Sequence, residues 1–157
     1  MMKISHSVAI MVVGSFLIQY YFMSMVMTNS AENITNSLGK FYLASLMGLS
    51  MGILEVLMND LSSGNLRLRY YAPLVTLFFV FLFLYRNQVW IGDEQYLKEM
   101  IEHHSMALFT SDAILKKTHS YQVSKFAKNI IQGQTDEIRE MREIVNSLKS
   151  KKPLSDS

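Results

Sequence analysis

Two adjacent histidines, His103 and His104, follow Met100 by one helical turn, so that its thioether can share a helix face with either imidazole. Thioether and imidazole ligands without a majority of carboxylates suit Cu(I) better than iron, zinc or magnesium. The chain has no cysteine, which excludes thiolate metal sites, disulfides and cysteine nucleophiles. The three residues therefore predict a soft-metal site, with a copper ion as the favoured cofactor.

A later helical stretch interrupts its apolar stripe with the polar residue Gln134. If the chain turns back near residue 119 into an antiparallel hairpin, His104 lies opposite Gln134. One interpretation is structural, because two buried polar groups that hydrogen-bond each other avoid a cost of about 1–3 kcal/mol. The other is a metal site whose ligands are Met100, His103, His104 and Met141, with supporting side chains from Gln134, Glu137 and Asp93. The spacing leaves both interpretations open.

No pattern typical of an enzyme accompanies these residues. Carboxylate-bridged di-iron helices carry Glu-x-x-His, and no glutamate lies three residues before His103 or His104. The sequence has no glycine elbow around a serine and no carboxylate pair in a recognisable setting. The net charge of +2, without a basic stripe, argues against nucleic acid as a partner. We therefore predict that the protein is not an enzyme.

Three long apolar runs precede the histidines. Half of the 157 residues are apolar, and about 20 such residues in a row are enough to cross a bilayer. The runs cover about residues 7–28, 38–58 and 71–91, and they predict a membrane domain over residues 1–91. Small residues in the second run, among them Gly48 and Gly52, would let a neighbouring helix approach closely.

The second run also contains a carboxylate, Glu55, within two helical turns of Met47 and Met51. A charged group inside a span costs about 2–3 kcal/mol or more, so these residues are candidates for a function inside the membrane. Glu55 is also close enough to the end of the run at Asp60 to reach lipid headgroups. For the methionines, the alternative to a function is packing against lipid or against a neighbouring helix.

Beyond Gly92 the pattern changes from continuously apolar to amphipathic. It predicts a soluble helical hairpin over residues 93–149, in which Asp93 caps the first helix and residues near 119 separate it from the second. Residues 150–157 are a polar tail. Basic residues in the short loops slightly favour a cytoplasmic N-terminus and a periplasmic or extracellular hairpin.

The predicted fold is all-α, with three transmembrane helices followed by a ferritin-like antiparallel helical hairpin. Two amphipathic helices bury little apolar area alone, so we expect a homo-oligomer or another membrane subunit as a partner, besides the lipid bilayer. The alternative to metal binding is therefore a non-catalytic structural or assembly protein whose hairpin mediates oligomerisation.

These residues resemble the ferritin-like family called domain of unknown function 305, in particular its membrane-anchored members. In the hairpin the resemblance rests on Asp93, Tyr96-Leu97, Met100-Ile101, His103-His104, Ala107-Leu108, Ala127, Ile130, Gln134, Glu137-Ile138 and Met141. In the membrane part it rests on Met47, Met51 and Arg86-x-Gln88. The resemblance implies a helical bundle that binds copper through Met and His in some members. Glu102 departs from the pattern, because a proline commonly precedes the histidine pair.

Overall fold

The computed structural model describes residues 3–150, and over this range the chain is helical and has no strand. The elements are α1 (Ile4–Leu17), a π-helical turn (Ile18–Phe22), α2 (Met23–Met27), a 3₁₀ turn (Ala31–Asn33), α3 (Leu38–Ser63), α4 (Leu68–Arg86), α5 (Asp93–Leu115) and α6 (Tyr121–Ser150). The all-α prediction is confirmed. The predicted polar tail lies outside the described residues, except for Ser150, which ends α6.

The helices form two compact units. Within residues 3–150, the first unit contains residues 3–23 together with Leu38–Trp90, and the second contains Ser24–Ser37 together with residues 91–150. Three helices are long and apolar enough to cross a membrane, and they cover Ile4–Met27, Leu38–Ser63 and Leu68–Arg86. These helices correspond to the three apolar runs of the sequence.

The turn between the second and third of these helices is shorter than the sequence predicts. The polar residues at the centre of residues 60–69, Ser62, Ser63, Gly64 and Asn65, predict a surface turn over this whole range. In the structure α3 continues to Ser63 and α4 begins at Leu68. Asp60 is buried, and its Oδ2 accepts a hydrogen bond of 3.0 Å from the backbone amide of Arg67. The carboxylate therefore closes a tight turn around Gly64, whose φ of 66° suits glycine.

In the first unit, α1 and α3 approach closely at two glycines. A Cβ atom added to Gly48 would lie 2.6 Å from the carbonyl oxygen of Val12, and one added to Gly52 would lie 2.5 Å from the Val12 side chain. At Gly48 the backbone would have to move, because non-bonded atoms pack at about 3.5–4.0 Å and a carbonyl oxygen cannot rotate away. At Gly52 the Val12 side chain would have to move. The prediction that small residues of this run admit a neighbouring helix is confirmed.

In the second unit, α5 and α6 pack against each other around Ile101, Leu108 and Ile138. Residues 116–120 connect the two helices, so the helices run antiparallel. The N-cap position of α5 is Gly92, and no side chain caps the helix. The prediction that Asp93 is the cap is therefore wrong. Asp93 lies in the first turn of α5, where its negative charge interacts favourably with the positive end of the helix dipole.

A third component of this unit is the segment of residues 24–37, which the sequence presents as the end of one run and a polar connection. Its polar groups bind α5. The hydroxyl of Ser105, which is 0% exposed, donates to Oδ1 of Asn29 at 2.6 Å and accepts from the Asn29 amide at 3.0 Å. The hydroxyl of Thr35 donates to the carbonyl oxygen of Lys98 at 2.6 Å.

The same segment also binds α6 through one arginine. Nη2 of Arg142 donates to Oδ1 of Asn33 at 2.7 Å and to the carbonyl oxygen of Glu32 at 3.1 Å. The segment therefore contacts both helices of the hairpin.

Candidate functional site

His104 has a defined ring orientation, because both of its nitrogens have a partner. Nδ1 lies 2.8 Å from the carbonyl oxygen of Met100, one turn earlier on α5. A carbonyl oxygen only accepts hydrogen bonds, so Nδ1 carries a proton. Nε2 lies 2.9 Å from Oε2 of Glu137 on α6. A histidine that donates its Nδ1 proton to the backbone is in the arrangement that commonly leaves Nε2 to bind a metal ion.

The partner of His104 differs from the one that the sequence predicts. We expected Gln134 opposite this imidazole, whereas Glu137, one turn further along α6, forms the contact. His104 is largely buried and Glu137 is about half exposed, so the pair lies at the edge of the interface between the helices. A carboxylate partner can accept a hydrogen bond from Nε2 or bind a metal ion beside it.

The His104–Glu137 pair fixes the register of the two methionines. Met100 precedes His104 by one turn and Met141 follows Glu137 by one turn, so the antiparallel arrangement places the methionines opposite each other. Met141 packs against the apolar cluster of the hairpin, and Met100 is half-buried. Along the hairpin, the position where Met100 faces Met141 is therefore one helical turn from the position where His104 contacts Glu137.

His103 has a different environment from His104. Its side chain is 47% exposed, and Nε2 lies 3.9 Å from Oε1 of Glu99 on the same helix. The side-chain interaction with Glu99 and the negative charges of Glu99 and Glu102 raise the pKa of His103 above 6.5, although partial burial acts in the opposite direction. The ion-pair partner of His103 is thus on α5, whereas that of His104 is on α6.

Removal of the Glu99 charge is expected to lower the pKa of His103. Because the pair favours the protonated imidazole in the folded protein, its stabilising effect is complete below pH 6.5 and is lost as the pH rises through the raised pKa. A proton NMR titration of the full chain in detergent measures the midpoint in Glu99→Gln. Glu140→Gln, an exposed glutamate on α6, is the control. Equal midpoints in the two variants would contradict the pairing.

The other predicted site residues include Asp93 on α5 and three residues of α3. At a rise of 1.5 Å per residue, Asp93 is about 16 Å along the axis of α5 from His104, too far to support it. In the first unit, Glu55 accepts a hydrogen bond from the hydroxyl of Ser7, Met51 is half-buried and Met47 is exposed. Glu55 therefore links α1 and α3 through Ser7.

Residues 3–150 contain no group of three or more His, Asp or Glu side chains placed to hold a metal ion. A site of that type, which zinc or iron would favour, is therefore not formed within this range. Further ligands to a metal ion at His104 would have to come from Glu137, from the methionine sulfur atoms or from solvent.

Comparison with known proteins gives two matches. Residues 92–156 match the family described as "Domain of unknown function (DUF305)". Over 144 residues the chain is 31% identical to "Uncharacterized protein L153" of Acanthamoeba polyphaga mimivirus, a match that covers 90% of this chain and 93% of that protein. No solved structure matches the chain. The chain therefore belongs to the same family as this mimivirus protein, with a DUF305 match over the part that contains α5 and α6.

Proposed function

We propose that the protein is anchored in a membrane by three helices and binds a copper ion in the α5–α6 hairpin. The anchor is supported by the surface of α4, a helix of 19 residues of which none is buried. Its exposed side chains include Leu77, Phe79 and Phe83. A soluble protein rarely exposes so large an apolar surface, whereas lipid chains would cover it.

The two chain segments that make up the second unit support three crossings of the membrane. This unit combines residues 24–37, which contain the last turn of the first apolar helix and the connection after it, with the chain that follows the third. After one crossing and after three crossings a chain is on the same side of the membrane, so both parts can meet there. The loop charges favour the outer face for this side, with the N-terminus in the cytoplasm.

We extend the proposal to a ferritin-like arrangement of the hairpin. Two long antiparallel helices make up half of a four-helix bundle, the architecture in which such proteins build metal sites on facing helices. A second copy of the chain, or another membrane subunit, would supply the other half. The exposed apolar residues Tyr96, Phe109 and Ile144 are consistent with such a partner.

The observation that carries the copper proposal is the orientation of His104 toward α6. The ligands would be Nε2 of His104 and the sulfur atoms of Met100 and Met141, a set that Cu(I) prefers over harder ions. His103 would be a further ligand only if it left Glu99. Nε2 of His104 lies 2.9 Å from Oε2 of Glu137, so a copper ion bound to this nitrogen would replace that contact.

Replacement of His104 by alanine is expected to weaken Cu(I) binding more than about 10-fold, because even a residue that only orients a ligand changes affinity 10- to 100-fold. His103→Ala is expected to have a smaller effect. Competition titration of the full chain in mild detergent, with a chromophoric Cu(I) chelator, measures both affinities.

Equal Cu(I) affinity in the His104→Ala variant and the unsubstituted protein would rule out this site. If the unsubstituted protein also formed a stable oligomer without bound metal, the structural or assembly function would become the better explanation. Mass measurement of the detergent-solubilised protein distinguishes these results.

A further inference from the structure

The end of the hairpin that is remote from Asp93 has an excess of positive charge. From residue 113 to residue 135 the chain contains no Asp or Glu. The lysines in this stretch are Lys116, Lys117, Lys125 and Lys128. All of them are exposed, and none forms an ion pair with another residue of the range that the structure describes. The positive charge is therefore available to an anionic partner.

The same end of the hairpin exposes large apolar side chains. Tyr121 is 79% exposed and Phe126 is 67% exposed, and Ile114 and Val123 are also exposed. We call residues 114–128 the hairpin tip. Apolar groups gathered on a surface usually mark a site of interaction with a protein or a membrane, and here they alternate with the lysines.

We propose that the hairpin tip docks on an anionic lipid surface. Aromatic and aliphatic side chains beside lysines are typical of segments that lie in the interface of a bilayer, where the rings enter the headgroup region and the ammonium groups approach anionic lipids. Each lysine near such a surface strengthens binding. The tip contains no arginine, the residue that recognises phosphate or carboxylate groups of a defined geometry, so a diffuse negative surface is the better match.

The length of the hairpin leaves two possible positions for this surface. The 23 residues of α5 extend about 34 Å, so the tip is far from the point where the chain enters α5. The anionic lipid could belong to the bilayer that holds α1, α3 and α4 or to a second bilayer. Both bilayers present the same anionic surface to the hairpin tip, and the experiment supplies anionic lipid in each of these positions.

The experiment uses a fluorescent label at the tip. The chain has no cysteine, so a Gln122→Cys variant carries one environment-sensitive dye at an exposed position. The full chain is placed in nanodiscs of phosphatidylcholine alone or mixed with phosphatidylserine, and vesicles of either composition are then added. We expect a blue shift, and quenching by lipids with a quencher in the acyl chain, only where phosphatidylserine is present.

Two matched double variants distinguish the effect of the tip lysines from the effect of the total positive charge of the hairpin. Lys125→Gln with Lys128→Gln is expected to weaken the association about 30-fold, from the effect of two lysines near a charged surface. Arg139→Gln with Lys149→Gln removes the same amount of positive charge from α6 outside the tip. This variant is expected to bind the anionic bilayer almost as strongly as the unsubstituted protein. Equal weakening by the two variants would overturn the proposal.

Two further results would also overturn it. Absence of quenching in every lipid arrangement would show that the tip does not enter a bilayer. A blue shift that needs no phosphatidylserine, increases with protein concentration and resists lipid quenchers would show that the tip binds a second copy of the chain.

Discussion

Replacement of Glu102 by alanine is expected to raise the hydrogen-exchange rate of the Thr35 amide about 100-fold. Glu102 is only 7% exposed, and its carboxylate accepts hydrogen bonds from the Ser24 hydroxyl and from the amide of Thr35, the latter at 2.9 Å. A hydrogen bond to a charged group contributes about 1.5–3 kcal/mol, and 100-fold corresponds to about 2.7 kcal/mol. Without the carboxylate, the segment of residues 24–37 loses its hydrogen bonds to Glu102, while those to Ser105 and Lys98 remain.

Hydrogen exchange of the full chain in detergent, followed by mass spectrometry, measures this effect in peptides that cover residues 28–37. Glu102→Gln keeps one acceptor oxygen and is expected to give a smaller increase than Glu102→Ala. Glu140→Ala removes an exposed glutamate from α6 and is the control. Equal amide exchange rates in these peptides for Glu102→Ala and Glu140→Ala would show that Glu102 does not hold the segment against α5.

The role of Glu102 could not be predicted because its partners are far away in sequence. Thr35 is separated from it by 67 positions and Ser24 by 78. Periodicity reports which face of its own helix a residue occupies, and it contains no information on which distant segment covers that face. From the sequence, Glu102 was a charge beside the histidines, and residues 29–37 were a polar connection.

The positions of the helices could be predicted because their signals are local. Long apolar runs and the amphipathic pattern after Gly92 depend on neighbouring residues only, and the helices of the structure lie where these patterns occur. The predicted ends were less accurate, as at Asp60, whose side chain stabilises the helix end from a buried position instead of forming part of an exposed turn.

The candidate site was predicted in part for the same reason. The spacing of Met100 and His104 on one helix is a local property, and it placed both on one face. The facing residue on α6 depends on how residues 116–120 turn and on how Ile101, Leu108 and Ile138 interlock. These contacts shift the register by one turn relative to a symmetrical hairpin, which replaces Gln134 by Glu137 as the partner of His104.

Replacement of Gly48 by alanine is expected to destabilise the packing of α1 on α3 by about 1–3 kcal/mol, the usual cost of an overpacked interior. Alanine favours a helix by about 1 kcal/mol over glycine, so without a clash the change would be stabilising. At Gly48 the clash is larger than this gain, because the new methyl group would lie 2.6 Å from the backbone oxygen of Val12, which cannot rotate away as a side chain could.

Thermal unfolding of the full chain in one detergent, followed by the loss of helical circular dichroism, measures the effect. For a chain of this size we expect the midpoint of Gly48→Ala to fall by roughly 2–12 °C, and that of Gly48→Leu to fall further. Gly14→Ala is the matched control, since a Cβ atom at Gly14 meets no atom within 4 Å and the change gains helix propensity alone. A midpoint for Gly48→Ala at or above that of Gly14→Ala would show that α1 and α3 are not in close contact at this glycine, because only a distant or absent α1 would let the added methyl group be accommodated without cost.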